Sequence, residues 1–154
     1  MDPTLASIVV PATHESLDTV RRVLLAMLPP AIDEDTRVRL GICLAEGFNN
    51  AVEHAYGKTG GETGGRIEVG IAIGPGEIVL DVADAGLTMG NEAKLRLAVA
   101  RIPDPADLPL RELPERGLGF GILRSVLDEV GYTSRNGFNI LRMVKRLDPV
   151  QPPR

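Results

Sequence analysis

Two neighbouring segments in the middle of the chain alternate apolar and polar residues. They span residues 66–73 and 77–84, and Gly74-Pro75-Gly76 separates them. A period of two is typical of β-strands that bury one face. The apolar positions are Ile67, Val69, Ile71, Ile73, Ile78, Leu80 and Val82. This pattern predicts an antiparallel hairpin that is covered by helices on one side.

Two segments before this hairpin have helical spacing instead. Residues 15–28 carry apolar residues three and four positions apart, and Pro29-Pro30 end the pattern. A longer pattern follows Asp33, a residue type that caps helix N-termini, and extends to Tyr56. We expect the apolar face of this long helix to pack on the sheet. That face comprises Leu40, Cys43, Leu44, Phe48 and Val52.

Shorter patterns predict three further elements. Residues 5–11 form a short apolar run that is typical of a strand. Residues 119–130 return to helical spacing, with Gly131 as the expected C-terminal stop. Residues 132–144 predict a terminal hairpin that turns at Asn136-Gly137.

Residues 87–116 have no regular pattern. Residues 91–100 fit a helix, but prolines interrupt the chain after them, at Pro103, Pro105, Pro109 and Pro114. A long irregular stretch inside a compact domain is usually functional. Because it lies between two glycine-containing segments, Asp84 to Gly86 and Arg116 to Gly121, that are candidate phosphate-binding turns, we predict that this segment is a lid.

Taken together, these elements predict an α/β fold. It would be a two-layer α/β sandwich, with a mixed, mostly antiparallel sheet and roughly four helices on one face. A chain of 154 residues fits one domain. We expect this domain to span residues 1–147, with the lid at 87–116 and a flexible tail at 148–154.

Composition and charge narrow the classes of function. An apolar share of 44% with 25% charged residues is typical of a globular chain. The formal net charge of −4 and the absence of a basic cluster disfavour direct binding to nucleic acid. No apolar stretch is long enough to span a membrane, and no signal segment begins the chain, so we predict a cytoplasmic protein. Cys43 lies between Ile42 and Leu44, which indicates a buried thiol.

Glu46 and Asn50 are candidate functional residues of the long helix. They are four residues apart, so both project from one face of the helix. A carboxylate can accept a proton from an attacking hydroxyl, and an amide oxygen can ligate Mg²⁺. A solvated helix face is the alternative explanation for this pair.

Asp84 is followed by Ala85 and Gly86 at the end of an apolar strand. A carboxylate in this position can accept a hydrogen bond from the amine of adenine, and glycine lets the backbone approach the base. A simple Asp-x-Gly turn is the alternative.

The segment Arg116-Gly117-Leu118-Gly119-Phe120-Gly121 opens a predicted helix. Backbone N–H groups at a helix start favour phosphate oxygens. The segment does not follow a strand, as a Rossmann fingerprint requires, and it lacks the Gly-Lys-Ser/Thr of a P-loop. A flexible hinge before a helix is the alternative.

His54 stands near the end of the long helix, where it has either a structural role or a part in nucleotide contacts. The spacing of His14, Cys43 and His54 does not fit a zinc site.

In this order, the segments resemble the histidine-kinase-like (GHKL) ATPase superfamily. Within it they are most similar to the small anti-sigma factor serine/threonine protein kinases of bacteria. The resemblance extends over residues 8–147 and implies the Bergerat fold of this superfamily. It rests on Glu46 to Tyr56, Asp84 to Gly86, Arg116 to Gly119 and the last strand at 139–145.

The resemblance also implies roles for single residues. Glu46 would be the catalytic base, and Asn50 would ligate the Mg²⁺ that accompanies ATP. Asp84 and Gly86 would recognise adenine. The other nucleotide-binding positions implied by the match are His54, Arg116, Gly117, Leu118, Gly119 and Gly121. The sequence departs from the family at Thr88, where a second glycine is usual, and at Ile140, where a hydroxyamino acid is frequent.

As a function, the resemblance implies a kinase that uses ATP and Mg²⁺ to phosphorylate an anti-anti-sigma antagonist on serine. The same domain would hold a sigma factor inactive, and so regulate transcription without contacting DNA. One alternative is a non-catalytic nucleotide-binding anti-sigma or adaptor module. Another is a stand-alone histidine-kinase catalytic domain that acts on a separate phosphotransfer protein. A homodimer is compatible with each reading.

Overall fold

The computed structural model describes residues 2–55, 64–87, 89–90 and 118–148, with the backbone alone at 54–55 and 118–120. Their secondary structure runs as follows: β1 Thr4–Pro11, α1 Ser16–Met27, α2 Glu34–Asn50, a π-helical stretch Ala51–Ala55, β2 Arg66–Ile73, β3 Glu77–Asp84, α3 Leu118–Val126, β4 Glu129–Arg135 and β5 Phe138–Arg146.

The strands form one sheet in the order β1-β2-β3-β5-β4. All four pairings of these described strands are antiparallel. The prediction of a mostly antiparallel sheet is therefore confirmed, and the prediction that it is mixed is wrong for the described strands. The predicted two-layer α/β architecture is confirmed. The inward side chains of β2 and β3 share one core with the buried residues of the three helices. The central hairpin has the predicted bounds.

Helix α2 follows its predicted pattern. Asp33 caps it, because Asp33 Oδ1 accepts a hydrogen bond from the Thr36 backbone N–H at 2.9 Å. Every residue of the predicted apolar face is buried. Gly47 lies on the same face, and a Cβ there would stand 3.1 Å from the ends of Leu141 and Met143. The missing side chain therefore lets α2 approach β5 closely.

The connection between α1 and α2 is held by Arg37. Its guanidinium nitrogens donate to four main-chain oxygens, those of Leu25, Leu28, Pro29 and Ile32. A single side chain of α2 thus satisfies carbonyls at the end of α1 and in the loop after it, where the helix itself offers no partners.

The prediction of a helix from 119 to 130 is wrong at its C-terminal end. Helix α3 ends at Val126, and Gly131 lies within β4, opposite Arg142. The reason is pairing with β5: Asp128 N–H donates to the Val144 carbonyl at 2.9 Å, and the Asp128 carboxylate accepts from the Arg146 N–H at 2.6 Å. These contacts turn the chain into a strand before Gly131 is reached.

The terminal hairpin is confirmed. Asn136 and Gly137 both have positive φ, at 55° and 81°, which is the left-handed backbone of a two-residue type I′ turn.

The predicted helix 91–100 lies outside the described residues, as does the predicted lid apart from residues 87, 89 and 90. The predicted tail also lies outside them from residue 149 onward. In the described part of the chain, none of the helices combines the length and apolarity needed to cross a bilayer.

Candidate functional site

Helix α2 and strand β5 run in opposite directions where they pack. The Lys145 ammonium counteracts part of the rise in the Cys43 pKa, which indicates that these two residues are near each other. One helical turn later, Gly47 faces Leu141 and Met143. Residue numbers therefore rise along α2 as they fall along β5.

The next turn of α2 carries Asn50, and the next inward position of β5 is Asn139. Asn139 is the register partner of Asp84 in β3. The C-terminal end of α2 therefore lies toward the end of the sheet that holds the Asp84–Asn139 pair. This packing brings the predicted carboxylate and amide of α2 to the same end of the molecule as Asp84.

Glu46 and Asn50 are both partly exposed. In the described part of the chain, neither side chain has a hydrogen-bond partner. Burial raises the pKa of Glu46, and the neighbouring charge of Glu53 raises it further. A carboxylate with a raised pKa and no internal partner is suited to accept a proton.

His14, Asn49 and Glu53 form a polar cluster beside Glu46 that the sequence reasoning did not assign to the site. His14 Nδ1 lies 2.9 Å from Asn49 Oδ1, and His14 Nε2 lies 3.6 Å from Glu53 Oε1. These contacts tie the loop after β1 to α2 and to the π-helical stretch that follows it. Since the partners are 35 residues or more apart in sequence, no local pattern identifies them.

Asp84 is buried, with 7% of its surface exposed. Its Oδ1 accepts two hydrogen bonds, from the Gly86 N–H at 3.0 Å and from Asn139 Nδ2 at 2.8 Å. Burial raises the pKa of Asp84 and outweighs the two hydrogen bonds, which lower it. Among the described residues, no donor reaches Oδ2.

Asn139 was not predicted as a site residue, although the last strand was recognised. It is 1% exposed, and its Nδ2 also donates to the Gly86 carbonyl at 3.1 Å. An amide at an inward strand position, followed by Leu141 and Met143 on the same face, was the available signal. Buried amides need partners, and here the partner is the candidate adenine-binding carboxylate.

The glycine-rich segment opens helix α3, as predicted. The helix begins at Leu118, so Gly119 lies in its first turn, and Gly121 is buried. Arg116 and Gly117 lie outside the described residues, as do the side chains of Leu118 and His54. The nucleotide-binding roles of all these positions stay predictions.

The described residues fit a Mg²⁺ ion that takes a single ligand from the protein, Asn50. In the described part of the chain, no group of three His, Cys, Asp or Glu side chains could hold a metal ion. Magnesium usually takes only one or two ligands from the protein and the rest from phosphates and water. The unpartnered Asn50 amide is compatible with such a single ligand.

A groove of about 480 Å³ lies on the open face of the sheet. Val9, Glu68, Ala83 and Phe138 line it from strand positions that alternate with the inward ones, and Asp84 and Ala85 line it at the end of β3. The groove therefore opens mainly on the face of the sheet away from Glu46 and Asn50, but it reaches the candidate adenine-binding residue Asp84.

Comparisons with known proteins support the resemblance to the ATPase superfamily. Residues 10–145 match the histidine kinase-like ATPase domain. The chain is 30% identical over 105 residues to the anti-sigma F factor of Geobacillus thermodenitrificans strain NG80-2, which covers 68% of this chain and 64% of that protein. It is 28% identical over 100 residues to the serine-protein kinase RsbW of Bacillus mycoides strain KBAB4, covering 65% of this chain and 58% of that protein. The match thus spans slightly less than two thirds of these relatives.

Proposed function

The chain belongs to the histidine kinase-like ATPase domain family, and on this premise we propose that it is an ATP-dependent protein serine kinase that also binds a sigma factor. The observation that carries the proposal is Glu46, a half-buried carboxylate with a raised pKa and no hydrogen-bond partner in the described part of the chain. It stands one helical turn from Asn50, at the end of the sheet that holds Asp84.

In the proposed complex, Asp84 accepts a hydrogen bond from the exocyclic amine of adenine. The N-terminal end of helix α3 faces the phosphates, which the helix dipole favours. Asn50 would hold Mg²⁺, which would supply positive charge to the phosphates. In this assignment each of the three sequence segments contacts a different part of the magnesium–nucleotide complex.

The chemical step needs a proton acceptor. The serine oxygen of the substrate bonds to the γ-phosphorus, the bond to the leaving ADP oxygen breaks, and the serine proton passes to Glu46. Glu46 must be ionised to do this. Since its pKa is raised, we expect transfer to decline on the acidic side at a higher pH than an ordinary glutamate would give.

The proposed substrate is a serine of an anti-anti-sigma antagonist, and the second partner is a sigma factor. Support comes from the names of the relatives, an anti-sigma F factor and a serine-protein kinase. A cytoplasmic location and assembly as a homodimer belong to the same proposal.

The test is transfer of the γ-phosphate from ATP-Mg²⁺ to the cognate antagonist, measured with the full chain. Glu46→Gln keeps the shape of the side chain, so nucleotide affinity should change little while transfer falls at least about 100-fold. Glu53→Gln is the matched control, since Glu53 is an exposed glutamate of the π-helical stretch that continues α2. It should keep activity and shift the acidic limb of the pH profile to lower pH, because one charge that raises the Glu46 pKa is gone.

Unchanged transfer in Glu46→Gln would contradict the assigned base. Nucleotide binding by the wild-type protein without transfer would favour the alternative, a non-catalytic anti-sigma or adaptor module. An acid-labile product on a separate phosphotransfer protein would favour a histidine kinase.

A further inference from the structure

The orientation of the Asn139 amide is set by its partners. Both Asp84 Oδ1 and the Gly86 carbonyl can only accept hydrogen bonds, so the nitrogen end of the amide must face them. At the other end, the Ser134 hydroxyl lies 2.9 Å from Asn139 Oδ1 and can donate to it. The amide is therefore held from both ends in a buried position.

This arrangement fixes the rotation of the Asp84 carboxylate. Two donors, Asn139 Nδ2 and the Gly86 N–H, converge on Oδ1 at 2.8 and 3.0 Å. Because Oδ1 is engaged, Oδ2 is left as the acceptor that a ligand can use. The β4–β5 hairpin also holds the chain that follows Asp84, since the Met89 N–H donates to the Tyr132 hydroxyl at 2.9 Å.

We infer that Asn139 is a positioning residue that sets the base preference of the nucleotide site by presenting Asp84 Oδ2 to an exocyclic amine. This inference rests on the proposed function, because it requires that the site bind a nucleotide. An adenine base donates a hydrogen bond to Oδ2. A base with a carbonyl at the same ring position, such as hypoxanthine, brings two acceptors together and is rejected.

The experiment compares the dissociation constants of ATP and of inosine triphosphate in the full chain. The two ligands share ribose, phosphates and Mg²⁺ and differ in the amine. The wild-type protein should prefer ATP by at least about 10-fold, the value of one hydrogen bond to a charged acceptor. In Asn139→Leu the carboxylate keeps the Gly86 N–H but loses the amide donor to Oδ1, so its rotation is held less firmly. ATP affinity should then fall about 10-fold while the affinity for inosine triphosphate stays nearly constant, so the preference disappears.

Two further variants test whether the preference for ATP depends on the Asn139 amide itself. Ser134→Ala removes the partner of the amide oxygen and keeps the donor to Asp84, so it should retain most of the ATP preference. Asn139→Ser disturbs the packing less than Asn139→Leu does. If Asn139→Leu does not fold, Asn139→Ser serves as the test of the ATP preference. A serine hydroxyl is too short to reach Asp84 as the amide does, so we expect this variant to lose the preference as well.

The outcomes separate the inference from the proposed function. If the wild-type protein binds neither nucleotide, the proposed function fails and the inference fails with it. If the wild-type protein prefers ATP and the Asn139 variants keep that preference, only the inference is overturned. An equal loss for both nucleotides also overturns it, because that result indicates general damage to the fold. Loss of ATP affinity alone supports it.

Discussion

Replacing Arg37 with methionine should destabilise the protein through the connection between α1 and α2. The Arg37 guanidinium donates to the carbonyls of Pro29 at 2.6 Å, Ile32 at 3.0 Å, Leu28 at 3.1 Å and Leu25 at 3.4 Å. Methionine keeps an unbranched aliphatic stem and a high helix propensity, so the substitution removes chiefly these hydrogen bonds.

The magnitude follows from where the four bonds lie. Those to Leu28 and Ile32 are partly buried, so water replaces them poorly, and each contributes about 1–1.5 kcal/mol. Those to Leu25 and Pro29 are exposed and add little, because water takes the place of the guanidinium. The expected loss in the free energy of unfolding is therefore about 2–3 kcal/mol. For a chain of this size, it corresponds to a fall in Tm of roughly 5–10 °C.

Urea unfolding followed by far-UV circular dichroism measures this loss. Arg39→Met is the matched control, since Arg39 is on the same helix and makes one exposed ion pair with Asp35 at 2.6 Å. That variant should lose about 0.3–0.5 kcal/mol. An unchanged slope of free energy against urea would show that the denatured state is not altered. If Arg37→Met loses no more stability than Arg39→Met, the four hydrogen bonds of Arg37 contribute nothing to stability and the reasoning is refuted.

Two other predictions concern buried groups. Cys43 is fully buried and its pKa is raised to about 12, so a thiol-reactive disulfide reagent should label it only after unfolding; rapid labelling of the native protein would contradict this. Asp84→Asn should leave the free energy of unfolding equal or higher at neutral pH, because burial disfavours the ionised form and raises the Asp84 pKa. Because the Asp84 pKa is raised in the folded state, the free energy of unfolding of the wild-type protein falls as pH rises above the ordinary aspartate pKa of about 3.9. The difference in free energy of unfolding between Asp84→Asn and the wild-type protein should therefore shrink at acidic pH. A stability difference that grows at acidic pH would contradict the raised pKa of Asp84.

Local patterns were sufficient for much of the fold. The central hairpin, the Asp33 cap and the buried face of α2 all follow from periodicity and residue type within one segment. The turn at Asn136-Gly137 was predictable for the same reason, since few residue pairs accept two consecutive positive φ angles.

Features decided by distant contacts were not predictable. Residues 127–130 were assigned to a helix from their helical spacing, but the contacts of Asp128 with β5 lead the chain into β4, which begins at Glu129. The site divides in the same way. Asp84 was identified from its own strand and turn, whereas Asn139, which is 55 residues away, had no local signal beyond a polar residue on an inward face. The kinase assignment of Glu46 came from resemblance to a family, because a glutamate on a helix is by itself unremarkable.

The order of strands has a consequence for how the protein is made. β1, β2 and β3 are consecutive and can pair as soon as they are synthesised, but β3 has no second neighbour until β5 arrives. That closure spans 55 residues at the Asp84–Asn139 contact and has a larger entropic cost than any hairpin in the sheet. Asp84, the proposed base-recognising residue, is therefore in place before the residue that orients its carboxylate. A truncated product that lacks the β4–β5 hairpin would retain Asp84 but not the Asn139 amide.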